Sequence, residues 1–550
     1  MLLCTLFVIL GLFAACHPMI LSGLHLMQAD SCDSRLNNYI LEHGYQWISG
    51  NKLHRDFWNP PVFFPAANTA AYCDTLLGSA PIYWLFRFLG FHYDTSFQLW
   101  TLTNLTLNFI ATFILLKRGL ELSIIASCGG AYLFAFGGIR ISQMVHHQLL
   151  PQFFTIIAIY CLIKIFNEND SSNKSALYET RILIPVFFIS LALQLYAGFY
   201  LGWFLSYGVL LLFLVSLFFR QARWSLLSVY KASRGLILLS AIFFVTMISW
   251  MGRHYWLAMK EVGPRSWLEI AAAIPRLMSW VNMGPDNWVY AWSRQYLDFS
   301  HLPGEREHRL GLGILTLGLV SLGMARMSRL LWGKIVLTAF LIIVIFTLMF
   351  PGDWTLWKLA GNLLPGAGAI RGVTRVYLLL LIIFSIALSF ALEGLKKRKL
   401  AFLLLLLVCI EQVATVPASG KHAIRAEVNS IAKLIPQHCD AFYHTFIDTK
   451  PPRELANGQT NAMWTQIITG IPTINGFSGD YPPKWEPLLK LALKPGYTSG
   501  ECLETIKKWL DGNGLSGYQI RQTENNGNRV FAVYMRAMGP KSVSLRALPE

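Results

Sequence analysis

The sequence predicts a mainly α-helical membrane protein with many spans and a small α/β domain at its C-terminal end. Three observations support this fold class: the overall composition, a series of long apolar blocks, and a more polar composition after residue 420. Of the 550 residues, 54% are hydrophobic and 14% are charged, whereas soluble chains have roughly 25% charged residues. This composition excludes an ordinary soluble enzyme, and the 14% aromatic content excludes a disordered chain.

Apolar blocks account for the membrane part of the prediction. Each has roughly the 17–25 residues that a helix needs to cross a hydrocarbon core of ~30 Å. The run from Ile182 to Phe219 is too long for one span, so we divide it at Gln194, Tyr196 and Gly198. The eleven blocks begin near Leu2, Phe97, Leu122, Leu149, Ile182, Phe199, Leu236, Leu310, Leu331, Val376 and Leu400.

The net charge of +16 indicates membrane topology and not nucleic-acid binding. Basic residues are scattered between apolar blocks, whereas a nucleic-acid surface gathers them on one face. With a cytoplasmic N-terminus, the inside short loops carry about 16 Lys and Arg residues and the outside short loops about four. Leu12–Cys16 in the first block faintly resembles a lipoprotein cleavage site, but no basic residue precedes the block and apolar residues continue to Leu21, so an uncleaved signal anchor is the preferred interpretation. An odd number of spans then places the C-terminal region outside the cytoplasm.

The predicted domains are a transmembrane domain over residues 1–420, with external loops at 22–95 and 252–308, and an extracytoplasmic domain over residues 421–550. The second region alternates helical patterns with short strand patterns, as a small α/β domain does. Helices are expected at Ala423–Ile435, Arg453–Thr469 and Cys502–Leu510, and strands at Ala441–Phe446, Tyr518–Arg521 and Val530–Tyr534.

Four of the nine cysteines lie in predicted external segments, two in each. An oxidising compartment permits disulfides there. Our hypothesis pairs Cys32 with Cys73 and Cys439 with Cys502, and unpaired thiols are the alternative that the sequence leaves open.

The first external loop opens with two carboxylates, Asp30 and Asp33, just after the first span. Apolar residues then recur at helical spacing over Ser34–Ser49, which predicts an amphipathic helix on the membrane surface. Asp33 in the first turn would then be an ordinary capping residue. The alternative is a general base at the membrane boundary that accepts a proton from an acceptor hydroxyl while a lipid phosphate departs.

Cationic and polar residues near the outer ends of spans are candidates for binding a lipid phosphate. One short turn carries Arg140, His146, His147 and Gln148, and Arg371 and Arg375 precede the tenth span. Arg371 and Arg375 share a face if the helix extends that far back. The alternative for these residues is interface anchoring or a solvated loop.

Several motifs of this chain resemble the GT-C superfamily, whose members are integral membrane glycosyltransferases that use polyprenyl-phosphate-linked sugars. The shared features are a first span, a long external loop that opens with Asp near the membrane, many further spans and a C-terminal external domain. The motifs are His54–Pro65, Pro365–Arg375 and Ala462–Gly479.

The resemblance implies a catalytic carboxylate in the first external loop, at Asp33 or Asp30. We prefer Asp33, because Arg35, Glu42 and His43 follow it on the same element and could orient it or bind substrate. The chain departs from many members in lacking an adjacent acidic pair, since Ser31 and Cys32 intervene. The implied reaction is a one-step displacement from a lipid-phosphate sugar, with inversion.

The resulting hypothesis is a multi-pass glycosyltransferase of the bacterial cytoplasmic (inner) membrane. It would transfer a sugar from a polyprenyl-phosphate donor to a glycan, lipid or protein acceptor of the cell envelope, on the extracytoplasmic side. The alternatives are a lipid-linked glycan transporter or flippase and a non-catalytic assembly protein of the envelope. The sequence identifies no cofactor, leaves a divalent metal open, and does not reveal the sugar, the acceptor or the oligomeric state.

Overall fold

The computed structural model of the chain describes residues 2–29, 32–167, 174–447, 452–493, 497–515, 517–525 and 527–535. The chain divides into two compact units, Met1–Tyr45 with Asp74–Ser419, and Gln46–Cys73 with Gly420–Glu550. One division between the units falls between Ser419 and Gly420. However, residues 46–73 of the first external loop belong to the second unit and not to the transmembrane one.

The first unit is almost entirely helical, with one pair of three-residue strands. Strand β1 is Leu26–Gln28, and it pairs with β2, Ala418–Gly420. The helices are α1 Leu2–Leu21, α2 Asp33–Ile48, α3 Ala80–Phe88, α4 Tyr93–Ile114, α5 Ile124–Phe136, α6 Gly138–Ser142, α7 Phe153–Asn167, α8 Lys174–Ala197, α9 Phe199–Ser216, α10 Arg220–Val262, α11 Trp267–Ala272, α12 Ile314–Met327, α13 Leu331–Phe346, α14 Trp357–Leu363, α15 Val376–Glu393 and α16 Arg398–Glu411.

Eight helices in the described part of the chain are long and apolar enough to cross a membrane. They correspond to the first seven predicted blocks and to the tenth, so the protein is a mainly α-helical, multi-pass membrane protein. The other three predicted blocks form the shorter helices α12, α13 and α16, of 14, 16 and 14 residues. At 1.5 Å per residue, these helices are only about 21–24 Å long, less than the ~30 Å of a hydrocarbon core.

Helix α15 is deeply buried and packs against α5 and α12. Glycines at these contacts allow the close approach. A side chain at Gly323 of α12 would collide with the backbone of Ala387, and one at Gly130 of α5 would collide with Ser385 and Ser389. Small residues at helix contacts are typical of membrane bundles. The packing fixes the N-terminal end of α15, where Arg375 lies.

Helix α2 forms where the amphipathic pattern predicts it, but its environment is different from the predicted membrane surface. Its polar face is buried in protein, and Asn37, Asn38 and Glu42 are each 2% exposed or less. These side chains find protein partners, since Asn38 donates to Asp94 and Glu42 pairs with Arg87. The spacing of apolar and polar residues along the helix could not distinguish these protein partners from water and headgroups.

The second unit contains the predicted α/β domain. Strand β5 lies between β3 and β4 and is antiparallel to both, with Tyr443 opposite Phe531 and Ile520 opposite Val533. The elements are α17 Lys421–Ala432, β3 Ala441–Phe446, α18 Pro452–Thr469, α19 Glu486–Leu493, α20 Ser499–Gly512, β4 Tyr518–Asn525 and β5 Asn528–Met535. Each predicted helix and strand corresponds to one of these elements.

Backbone pairing explains why part of the first external loop belongs to this unit. The N–H groups of Phe63 and Phe64 donate to the carbonyls of Asn475 and Thr473, at 2.9 and 3.0 Å. The ring of Phe63 lies over Gly476, where a larger residue would collide with it. The loop motif and the C-terminal motif therefore form one packed structure.

All nine cysteines carry thiols in the structure, so neither hypothesised disulfide is formed. The thiol of Cys439 donates to the carbonyl of Pro436 at 3.2 Å. Arg529 donates to the sulfur of Cys502 at 3.6 Å. The two sulfurs therefore have different partners, and the hypothesis failed because it rested on the oxidising compartment alone.

The thiol state can be tested by mass spectrometry of the purified protein, alkylated under denaturing and non-reducing conditions. We expect all nine cysteines to be alkylated, because burial and not oxidation protects them in the folded chain. Prior reduction serves as the control and should add no further label. A mass lower by the equivalent of two labels before reduction would instead identify a disulfide.

Candidate active site

Asp33 is the first residue of α2, where the helix dipole favours a carboxylate. Its side chain is 29% exposed, and its Oδ2 lies 2.8 Å from Nδ1 of His146. Asp33 is therefore held by a specific partner from a distant part of the chain. Asp30, the other candidate base, lies outside the described residues.

His146 lies between two carboxylates. Its Nδ1 contacts Asp33, and its Nε2 is 2.8 Å from Oε1 of Glu307. An imidazole can donate to two acceptors at once only when both ring nitrogens carry protons. The geometry therefore corresponds to an imidazolium that bridges two carboxylates.

Glu307 connects Asp33 and His146 to the N-terminal end of α15. It lies in a single 3-10 turn, Glu305–His308. Its Oε1 also accepts a hydrogen bond from Nη2 of Arg375 at 3.1 Å, and its Oε2 accepts one from the hydroxyl of Thr374 at 3.1 Å. Asp33, His146, Glu307 and Arg375 thus form one cluster of alternating charge, which we call the charge cluster.

Arg375 is almost completely buried, with 5% of its side chain exposed. Its guanidinium lies 4.9 Å above the ring centre of Tyr200, a favourable cation–π position. Among the described residues, its Nε has no hydrogen-bond partner. One N–H of this arginine is therefore available for a ligand.

Arg371 lies beside the charge cluster, and its backbone N–H donates to the hydroxyl of Tyr200 at 3.0 Å. The side chain is half-buried, and it makes no hydrogen bond or ion pair within the described parts of the chain. Helix α15 begins only at Val376, after a 3-10 turn over Val373–Arg375. The helix does not extend back to Arg371, so the condition under which both arginines would share one helical face is not met.

The loop that carries both arginines is held by contacts along its length. The indole N–H of Trp203 donates to the carbonyl of Pro365 at 2.9 Å. The backbone N–H of Thr374 donates to the carbonyl of Ala273 at 3.0 Å. These contacts tie the loop to α9 and to the segment that follows α11. The positions of the two arginines are thus determined by packing and not by the loop alone.

The electrostatics of the charge cluster favour its ionised form. Burial would raise the pKa of Asp33, but the hydrogen bond from His146 and nearby positive charges, including that of Arg371, hold it below its ordinary value. Burial would also raise the pKa of Glu307, yet Arg375 and His146 hold it well below its usual range. For His146, burial and Arg375 oppose protonation, but the two carboxylate bonds raise its pKa.

Arg140 does not join the charge cluster, contrary to its proposed role in phosphate binding. Its side chain is fully buried, and its N–H groups donate to the carbonyls of Phe134 and Leu149 and to the amide oxygen of Gln152. It connects the C-terminal end of α5 to the turn that carries His146. Arg140 therefore positions this turn, because its donors are already engaged by protein oxygens.

The neighbours of His146 in sequence have different environments. His147 is completely buried, with its ring 4.8 Å from that of Phe97. The amide of Gln148 accepts a hydrogen bond from Asn37, and the same Asn37 amide donates to the carbonyl of Asp33. Two residues of this turn are therefore linked to Asp33. His146 contacts the Asp33 carboxylate directly, and Gln148 is linked to the Asp33 carbonyl through the side chain of Asn37.

The residues that follow Asp33 on α2 contribute mainly to packing. Glu42 is nine positions later, which at 100° per residue places it on the opposite side of the helix. There it accepts hydrogen bonds from Arg87 at 2.8 Å and Tyr83 at 2.7 Å. Arg35 and His43 are buried side chains of the same helix. Glu42 therefore anchors α2 and does not orient Asp33.

Glu307 was missed by sequence reasoning. The available signal was Arg375, which runs against the positive-inside trend, so an acidic partner on the same side of the membrane could be expected. The sequence Glu305-Arg306-Glu307-His308, at the end of the second predicted external loop, contains that partner, Glu307. In the described part of the chain, no three His, Cys, Asp or Glu side chains are arranged to hold a metal ion.

The chain matches no protein-family model and no curated protein. Among solved structures, it is similar to ArnT from Cupriavidus metallidurans in the apo state, with 11% sequence identity and a TM-score of 0.40. The alignment covers 96% of this chain and 97% of ArnT.

The raised pKa of His146 predicts a pH-dependent contribution to stability. A basic group whose pKa is higher in the folded state stabilises the fold below its unfolded pKa, ordinarily 6.5, and the contribution is lost as the pH rises through the folded pKa. We expect His146→Gln to lower the apparent unfolding temperature in detergent by several degrees between about pH 5 and 6. The difference from the wild type should shrink at higher pH.

His308 provides a matched control in the same loop. Its pKa is lowered, mainly by burial, so its contribution is present above the ordinary pKa and is lost as the pH falls. The effect of His308→Gln should therefore shrink at low pH, opposite to that of His146→Gln. Equal pH trends for the two variants would contradict the bridging imidazolium.

Proposed function

We propose that the protein is a GT-C-type glycosyltransferase of the bacterial cytoplasmic membrane. It transfers a sugar from a polyprenyl-phosphate donor to an acceptor hydroxyl of the cell envelope, on the extracytoplasmic side, with Asp33 as general base. The observation that carries this proposal is the charge cluster. It connects Asp33, the carboxylate implied by the GT-C resemblance, through His146 and Glu307 to Arg375, and Arg371, the other candidate for binding a lipid phosphate, lies beside it.

The topology inferred from charge supports a single external site. Asp33, His146, Glu307 and Arg375 come from four separate segments of the sequence. The positive-inside pattern assigns each of these segments to the extracytoplasmic side. Residues on opposite sides of a bilayer cannot meet, so the contacts among these four residues are consistent with placing all four segments on the same side.

The chemistry assigns distinct roles to the residues. Asp33 accepts the proton of the acceptor hydroxyl as its oxygen bonds to the anomeric carbon. The bond from that carbon to the phosphate oxygen breaks, and the electron pair leaves with the lipid phosphate. Arg371 and the free N–H of Arg375 hold this phosphate and stabilise the charge that develops on it. Attack from the face opposite the phosphate inverts the configuration.

The donor phosphate also bears on the basicity of Asp33. In the free protein, nearby cations hold the Asp33 pKa below its ordinary value, which makes the carboxylate a weak base. A bound phosphate offsets the charges of Arg371 and Arg375, and the pKa of Asp33 then rises toward its ordinary value. The base is therefore strongest when the donor is in place.

An in vitro transfer assay with Asp33→Asn and Asp30→Asn tests the proposal. The reconstituted protein is supplied with polyprenyl-phosphate sugars and a cell-envelope extract as acceptor. We expect Asp33→Asn to reduce transfer by about 10²–10⁴-fold, the usual contribution of a general base, and Asp30→Asn to have a smaller effect. Size-exclusion profiles and unfolding temperatures exclude loss of fold as the cause.

Asp353→Asn is the matched control, because Asp353 is an exposed external aspartate and the charge change is the same. It should transfer sugar at the wild-type rate. Wild-type transfer by Asp33→Asn would refute the assignment of the base. If the wild-type protein moves a lipid-linked glycan from one leaflet of a vesicle membrane to the other without transferring sugar, the result would favour the flippase alternative.

A further inference from the structure

The first part of α10 is a helix in its own right. Backbone angles at Ser233 (φ −134°, ψ 18°) interrupt the 43-residue helix, so residues 220–232 form a separate segment, which we call the surface helix. Helix α9 spans the membrane up to Ser216, and the apolar remainder of α10 spans it again. The surface helix therefore lies at one membrane surface, where the chain leaves the bilayer and re-enters it.

One face of the surface helix packs on the protein. Val229 is buried, and Ala222 packs against the cluster that contains Ile335 and Ala339 of α13. Positions 222 and 229 are seven residues apart, so they lie within about 20° of each other around the helix axis. This contact fixes which face is turned outward.

The outward face combines basic and aromatic side chains. Trp224 is 62% exposed and Tyr230 is 57% exposed. At 100° per residue, the six outward residues fall within an arc of about 120°. These residues are Arg220, Arg223, Trp224, Leu227, Tyr230 and Lys231, all exposed.

The charges of this face have no acidic partners among the residues that the structure describes. The sequence from residue 182 to residue 260 contains no Asp or Glu. In the part of the chain that the structure describes, Arg220, Arg223 and Lys231 make no hydrogen bond or ion pair through their side chains. Three cations on one exposed face are thus left for an anionic ligand.

We propose that the outward face of the surface helix is a binding site for anionic phospholipid headgroups. Arginine binds phosphate oxygens in a bidentate manner, and Trp and Tyr prefer the headgroup level of the bilayer. Basic residues at that level are attracted to anionic lipids. The location at the membrane surface and the combination of basic and aromatic side chains on the exposed face make the lipid headgroup the occupant.

The competing explanation is that the basic residues only set topology. The loop between α15 and α16 provides the comparison, since Lys396, Lys397 and Lys399 are also exposed and basic. That loop lacks an aromatic residue between Leu395 and Leu400. If topology were the whole explanation, the two clusters would behave alike toward lipids.

Native mass spectrometry of the full-length protein in detergent tests the proposal, with dioleoyl phosphatidylglycerol and dioleoyl phosphatidylcholine titrated separately. We expect the wild type to bind phosphatidylglycerol at least about fivefold more tightly, the effect of about one basic residue at a membrane surface. R220Q/R223Q/K231Q should reduce the preference to about twofold or less. K396Q/K397Q/K399Q, with the same charge change, should retain it.

Two further variants distinguish a lost site from a damaged fold. R220K/R223K preserves the charges and should retain the preference for the anionic lipid. W224A/Y230A should weaken the binding of both lipids without changing their ratio. A wild type without preference, a retained preference in R220Q/R223Q/K231Q, or an equal loss in the Lys396 cluster variant would overturn the proposal. None of these outcomes depends on sugar transfer.

Discussion

The contact on which the proposed site depends is the imidazolium of His146 between the carboxylates of Asp33 and Glu307. Isolated charges are costly to bury, and a buried carboxylate without a partner tends to be neutralised. Here each carboxylate has a cationic partner, and Arg375 adds a second cation to Glu307. The alternation of charge keeps all four groups ionised in one partly buried place.

The surrounding structure serves to bring these four groups together. Arg140 ties the turn of His146 to the end of α5, the ion pair of Glu42 with Arg87 anchors α2, and the packing of α15 fixes Arg375. The residues that make these supporting contacts have no proposed role in the reaction. Their role is to hold the elements in place, since a shift of one element would separate two charged groups of the cluster and leave a buried charge unpaired.

The sequence predicted the parts of the fold that depend on local pattern. The length of the apolar runs located all eleven helical blocks. The alternation of helical patterns with short strand patterns located the three strands of the second unit. Asp33, His146 and Arg375 were identified singly, from their positions near the outer ends of spans. Their mutual contacts, the role of Glu307 and the engagement of Arg140 by carbonyls depend on residues distant in sequence. The pairing of Phe63 with Asn475, which moves part of the first loop into the second unit, has the same origin.

The most direct test of the account is a structure of the protein with a bound polyprenyl phosphate. We expect the phosphate oxygens to lie within hydrogen-bond distance of Arg371 and of Nε of Arg375, on the side of the charge cluster that faces Asp33. The His146 bridge between the two carboxylates should persist in the complex. A phosphate bound elsewhere, with Arg371 and Asp33 turned to solvent, would contradict the proposed donor site and with it the role of Asp33.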